Sequence, residues 1–140
     1  MDGEHPVNDS VLFLCPHGAA KSVIAAAYFD RLAESRGLSI RAHFAGTQPE
    51  AEIYPSVVQL LREEGIDVSG KRPRLVTVYD LAQARRVISI GCPMEDIAPS
   101  GVIIDRWDDI PPVSENAALA CAAIRECVEP LFEEVIAVKR

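Results

Sequence analysis

The sequence has few cysteines, no long apolar run and no cluster of basic residues. Its 140 residues include four cysteines, too few and too scattered for a disulfide framework. No apolar stretch approaches the roughly 20 residues that a membrane-spanning helix needs. Lysine and arginine number 14 against 21 acidic residues, so the net charge is −7. We therefore expect a cytoplasmic protein with reduced thiols that binds neither nucleic acid nor membranes.

Signatures of bound cofactors are also missing from the sequence. There is no glycine-rich nucleotide fingerprint and no Walker motif. His5 and His43 stand apart from other ligating residues, so we expect neither a metal nor another cofactor. Residues 1–10 are polar and acidic, which predicts a flexible leader rather than a signal peptide. Residues 11–140 then form a single domain with room for a sizeable core.

Short apolar runs alternate along the chain with segments of helical periodicity. The runs predict strands at 11–15, 39–45, 87–90 and 102–105. The periodic segments predict helices at 21–36, 53–64, 79–85 and 115–138, the last with a kink at Pro130. This alternation indicates an α/β fold with a parallel sheet and helices on both faces. Ligands of such sheets bind outside the C-terminal ends of the strands.

The segment VLFLCPHGAAKS places a cysteine at the end of the first predicted strand. The loop after Cys15 carries small side chains, so its backbone N–H groups can approach a ligand closely. The helix that follows adds unpaired N–H groups and the positive end of its dipole, which favour an anion and a thiolate. The alternative is that Cys15 is a buried structural thiol. The predicted anion-binding residues are Pro16, His17, Gly18, Ala19, Ala20, Lys21, which supplies a cation, and Ser22, which supplies a hydroxyl donor.

This segment resembles the opening of the low-molecular-weight protein tyrosine phosphatases and the related thioredoxin-coupled arsenate reductases. The likeness continues in FAGT at 44–47, LLREEGIDVSG at 60–70 and WDDIP at 107–111. The resemblance implies a flavodoxin-like three-layer sandwich with four parallel strands. It also implies that Cys15 attacks phosphorus or arsenic in line, while Asp109, or alternatively Asp108, acts as the general acid.

The chain departs from the family pattern at the motif arginine, which is Lys21 here. Arginine grips two oxygens of an oxyanion at once, whereas lysine is a single point charge. The lost charge-assisted hydrogen bond should cost about 1.5–3 kcal/mol, roughly 10- to 100-fold in transition-state binding. Pro111, Pro112 and Val113 stand where many phosphatases of the family carry tyrosines, which disfavours phosphotyrosine.

Three functions are consistent with these residues. The first is a phosphatase that acts on phosphorylated protein or a small phosphomonoester through a cysteinyl-phosphate. The second is an arsenate reductase that uses Cys15 and Cys92. The loop after the third predicted strand holds one cysteine, so this reductase needs an external thiol reductant. The third is a protein that binds phosphate or a phosphorylated partner without turnover. Cys121 and Cys127 are predicted to be core residues.

Overall fold

The computed structural model describes residues 10–91 and 104–137, and all eight predicted elements lie within two residues of their expected ends. Ser10 belongs to the first strand rather than to the predicted leader. The final helix runs on through Pro130, and a kink there stays a prediction. In chain order the elements are β1 Ser10–Leu14, α1 Lys21–Ser35, β2 Arg41–Ala45, α2 Pro55–Glu63, α3 Val78–Gln83, β3 Arg86–Ser89, β4 Ile104–Arg106 and α4 Ala117–Ala137.

The four strands form one parallel sheet in the order β2-β1-β3-β4. At its centre Phe13 of β1 is in register with Phe44 on one side and Ile88 on the other. The chain crosses from β1 to β2 in one direction and later returns to β3 on the opposite side. The end of β1 is therefore the switch point at which open α/β sheets bind ligands, and Cys15 is the next residue. The predicted flavodoxin-like arrangement is confirmed.

Side chains of β1 alternate between two apolar layers, as the period of two along a strand requires. Val11 and Phe13 pack with α1, α2 and α4, whereas Leu12 and Leu14 pack with α3 and β3. Phe29 of α1 meets Phe13 edge-on at 6.1 Å between ring centroids. Helices thus cover both faces of the sheet. In the described part of the chain, no helix combines the length and apolar character that crossing a membrane requires.

Candidate functional site

Cys15 lies in the wall of a cavity of about 310 Å³ at the C-terminal edge of the sheet. The cavity is enclosed by the 15–21 segment, the start of α2, the end of β3 and residues 112–114. Only 4% of Cys15 is exposed. The cavity is therefore the route by which a ligand reaches the thiol.

Ser22 is the direct partner of the Cys15 thiol. The Cys15 Sγ and Ser22 Oγ atoms are 3.1 Å apart and both side chains are buried. Ser22 lies in the first turn of α1, so its hydroxyl approaches the sulfur from the helix N-terminus. A hydroxyl donor at this distance stabilises a thiolate. The two residues that the sequence paired are brought together.

Residues 46–54 donate backbone hydrogen bonds to the loop between β1 and α1. Gln48 N–H donates to the Pro16 carbonyl at 2.7 Å, and Tyr54 N–H donates to the Ala19 carbonyl at 3.2 Å. In a trans peptide the N–H points opposite to the carbonyl. The N–H groups of the residues after Pro16 and Ala19 therefore face away from segment 46–54. No side chain caps α1, so its first turn adds further donors. Backbone donors in this arrangement are able to bind an oxyanion. We call the loop from Cys15 to Ser22 the cradle, and its binding of an anion stays a prediction.

Gly46 allows segment 46–54 to approach this loop. A Cβ at Gly46 would lie 2.7 Å from the Gly18 nitrogen and 2.8 Å from the Pro16 oxygen. Gly18 has a φ of 60°, in the left-handed region that glycine adopts at no steric cost. The glycine of the FAGT motif therefore has a physical role, since a side chain there would push the cradle out of shape.

Lys21 joins the cradle to the segment after β4. Its Nζ atom donates to the Ile110 carbonyl at 3.0 Å, and the residue also lines the cavity. The ammonium is thus tied to the backbone of the segment after β4. Its predicted contact with an oxyanion stays a prediction.

The imidazole of His17 is directed toward segment 46–54. Its Nδ1 atom is 3.2 Å from the Gln48 carbonyl oxygen and 3.5 Å from the Glu50 carboxylate. About half of the side chain is exposed. The ring therefore supports the loop behind the cradle, and a direct contact with an anion is a separate prediction.

The structure does not bring the predicted general acids to the cavity. Asp108 and Asp109 are both exposed, and no carboxylate lines the cavity among residues 10–91 and 104–137. Asp108 lies 3.7 Å from the Arg106 guanidinium. Burial, and to a smaller extent Glu126 and Asp109, raise the pKa of Cys127 on α4, so Asp109 lies near that helix. The general-acid role of either aspartate stays a prediction.

The other cysteines are distributed differently from Cys15. Cys121 is buried in the core as predicted, where burial raises its pKa, and Cys127 is partly buried against the same core. The predicted redox residue Cys92 lies outside the described residues. Gly91, which precedes it in the sequence, lines the cavity.

Sequence reasoning missed Tyr54 and Ser56, which line the cavity from the start of α2. The sequence offered little indication of this role, because both residues lie more than 30 positions from Cys15 at a helix start that carries no distinctive motif. Among the described residues, no group of three or more histidine, cysteine and acidic side chains could hold a metal ion.

The described residues thus form a parallel α/β sheet with a buried cysteine at its switch point, in the wall of a cavity. Residues 10–99 match the family model of the low molecular weight phosphotyrosine protein phosphatases, and the chain belongs to this family. The solved and curated relatives include phosphatases and arsenate reductases, so this is a family of enzymes.

Individual relatives illustrate both activities. A "putative arsenate reductase" of Halobacterium salinarum is 30% identical over 97 residues, which is 68% of each chain. The thioredoxin-dependent arsenate reductase of Corynebacterium glutamicum is 27% identical with a TM-score of 0.78; the match covers 97% of this chain and 65% of that one. This chain thus spans about two thirds of that protein's length. A T. tengcongensis protein tyrosine phosphatase, 20% identical over 89% of this chain and 98% of that one, shares the fold with a TM-score of 0.77.

Proposed function

We propose that this protein is a phosphatase that hydrolyses phosphomonoesters with Cys15 as its nucleophile. The observation that carries the proposal is the position of the Cys15 sulfur, 3.1 Å from the Ser22 hydroxyl in the wall of the cavity. The backbone donors of the loop and of the first turn of α1 support the binding of a phosphoryl group beside that sulfur.

The reaction has two displacement steps. The Cys15 thiolate attacks phosphorus, the P–O bond to the organic group breaks, and the organic oxygen leaves with the bonding electrons. Water then attacks the cysteinyl-phosphate, which releases phosphate and restores the thiolate. Backbone N–H groups and the Lys21 ammonium stabilise the charge on the phosphoryl oxygens. The Ser22 hydroxyl stabilises the thiolate as the leaving group of the second step.

The cavity wall favours a substrate with an apolar organic group. Tyr54, Ile90 and Val113 line the cavity beside Cys15 and offer apolar surface that an inorganic oxyanion could not use. No carboxylate lines the described wall, and the general-acid role of Asp109 or Asp108 stays a prediction. Because a phenoxide leaves more readily than an alkoxide, we expect aryl phosphates to be better substrates than alkyl phosphates.

The test compares hydrolysis of p-nitrophenyl phosphate, phenyl phosphate and an alkyl phosphate such as glycerol phosphate. We expect rates to fall in that order and to vanish in Cys15→Ser. Cys127→Ser is the matched thiol control and should keep wild-type rates. Asp109→Asn should leave the nitrophenyl rate within about twofold, because nitrophenolate leaves without a proton, and a loss of about 10²–10⁴-fold on the alkyl substrate would identify Asp109 as the general acid. Turnover that survives Cys15→Ser would end the proposal.

Arsenate reduction is the second candidate, and a specific observation favours it. The Corynebacterium protein and an Archaeoglobus fulgidus arsenate reductase are each 27% identical to this chain, above the 20% of the T. tengcongensis phosphatase. The Archaeoglobus match has a TM-score of 0.72 and covers 88% of this chain and 98% of that one. Gly91 in the cavity wall is followed in the sequence by Cys92.

In this reaction the Cys15 thiolate attacks arsenic and a water molecule leaves. The Cys92 thiol then attacks the Cys15 sulfur, a disulfide forms, and arsenic departs as arsenite with the two electrons. An external dithiol such as thioredoxin reduces the disulfide. Arsenate-dependent consumption of reduced thioredoxin, lost in Cys92→Ser while nitrophenyl phosphate hydrolysis persists, would favour this function. No arsenate turnover in the wild type would exclude it.

A further inference from the structure

A second, larger groove lies beside the cavity, and three cations line it. It has a volume of about 520 Å³ and is formed by one face of α2 and by residues 68–72. Pro55, Val58, Gln59 and Arg62 contribute the α2 face, at the spacing of a single helix stripe. Lys71 and Arg72 line the groove from the 68–72 segment.

The three cations have carboxylates in their vicinity but form no direct ion pair among the described residues. Arg62, Lys71 and Arg72 are all exposed, and in the described part of the chain none of their side chains forms a hydrogen bond or an ion pair. The nearby carboxylates are Glu52, which also lines the groove, Asp67, whose pKa Ser69 and to a lesser extent Arg62 lower, and Asp30 near Lys71. In a chain of net charge −7, three unpaired cations around one groove are a local exception. They complement an acidic ligand.

The start of α2 contributes alternate residues to the cavity and to the groove. Tyr54 and Ser56 line the cavity, while Ile53 and Pro55 line the groove. From Pro55 to Arg62 the helix rises about 10 Å, and three residues of extended peptide cover about the same distance. A peptide whose phosphorylated residue occupies the cavity would therefore bring residues about three to five positions away into the groove.

We infer that this groove binds an acidic segment of a phosphorylated protein substrate, about three to five residues from the phosphorylated side chain. The inference rests on the proposed phosphatase function and defines its substrate class. Glutamate and aspartate at those positions raise kcat/KM by pairing with Arg62, Lys71 and Arg72. Exposed charge pairs are individually weak and screened by salt, so the preference is largest at low ionic strength.

The experiment uses two phosphotyrosyl peptides that differ only at the flanking positions, with glutamate in one and glutamine in the other. We expect the wild-type protein to favour the acidic peptide about five- to tenfold in kcat/KM at low salt, from two or three weak pairs acting together. The triple variant Arg62→Gln, Lys71→Gln, Arg72→Gln should lose this preference but keep its rate on p-nitrophenyl phosphate. The single variant Arg62→Gln should weaken the preference, and Arg36→Gln, which removes one positive charge paired with Glu133 at the end of α1, is its one-charge control and should keep it.

The outcomes separate this inference from the proposed function. Equal rates on both peptides with normal nitrophenyl phosphate hydrolysis would contradict peptide binding by the groove and leave the proposed phosphatase function standing. Failure to hydrolyse any phosphate ester would contradict the proposed phosphatase function, and with it the inference that the groove binds a substrate of this reaction. Competition by heparin as strong as that of the acidic peptide would identify a general polyanion surface and also contradict the inference. A preference that the triple variant loses and Arg36→Gln keeps supports it.

Discussion

A methyl group at Gly46 would test whether the cradle around Cys15 depends on close backbone packing. In Gly46→Ala the new Cβ would lie 2.7 Å from the Gly18 nitrogen, 2.8 Å from the Pro16 oxygen and 2.9 Å from the His17 carbonyl carbon. All three are backbone atoms, so no side-chain rotation can relieve the contact. Ordinary contact begins at about 3.4 Å, so one segment must move by about 0.7 Å.

The expected cost follows from that displacement. Overpacking of this kind destabilises proteins by about 1–3 kcal/mol, which for a chain of this size lowers Tm by about 3–10 °C. The displaced atoms belong to the loop that follows Cys15, and a misplacement approaching 1 Å at a reacting group costs about 100-fold in rate. We therefore expect Gly46→Ala to lose both thermal stability and Cys15 reactivity.

Thermal unfolding and alkylation of Cys15 by iodoacetamide, with and without phosphate, measure the two effects. Gly70→Ala is the matched control, because a Cβ at Gly70 has no neighbour within 4 Å and the residue has no positive φ. Gly70→Ala should stay within about 0.5 kcal/mol of the wild type. A Gly46→Ala variant with wild-type Tm and phosphate-protected alkylation would refute the packing argument.

Substitutions at three further positions test the site, the charges and the core. Lys21→Met, which removes the Nζ donor to the Ile110 carbonyl, should lower phosphate-ester kcat/KM by about 10- to 100-fold, whereas Lys21→Arg should raise it about tenfold; equal rates in all three proteins would show that the cation does not contact the oxyanion. Burial raises the pKa of Asp30 despite its hydrogen bond from Ala42 N–H, so its contribution to stability is complete below the unfolded pKa and is lost as pH rises through the folded pKa. The stability of Asp30→Asn relative to the wild type should therefore rise as pH increases toward neutral, and its free energy of urea unfolding should depend less on pH. A pH dependence equal to that of the wild type would contradict this. Phe29 is fully buried between aromatic rings, so Phe29→Ala should lose about 3–5 kcal/mol in urea unfolding, and a loss below 1 kcal/mol would show that the site collapses around the gap.

The grouping of Cys15 with Ser22 was predictable because the residues of the proposed cradle are adjacent in the chain. Cys15, Lys21 and Ser22 belong to one strand–loop–helix unit, and strand alternation and helical spacing locate such units from local sequence. The class of fold followed from the same local patterns, since strands that alternate with helices form parallel sheets. Neither inference needed a contact between distant parts of the chain.

The surroundings of the cradle depended on packing between distant segments. The family resemblance implied Asp109, or alternatively Asp108, as the general acid; neither carboxylate lines the cavity in the described residues, and the role stays a prediction. Tyr54 lies at an ordinary helix start and reaches the cavity because its N–H bonds to the Ala19 carbonyl. The cations Arg62 and Lys71 are nine positions apart, and only the packing of α2 beside residues 68–72 places them around one groove.

The sequence by itself determined the element order and a thiol followed by small residues at a helix start, because these depend on short-range patterns. The tertiary structure alone decided which segments enclose the thiol, which carbonyl accepts the hydrogen bond from the Lys21 ammonium, and which cations line one groove. Those features arise where residues far apart in sequence meet. Side-chain volumes and backbone hydrogen bonds across the whole domain decide such meetings, and local propensity does not encode them.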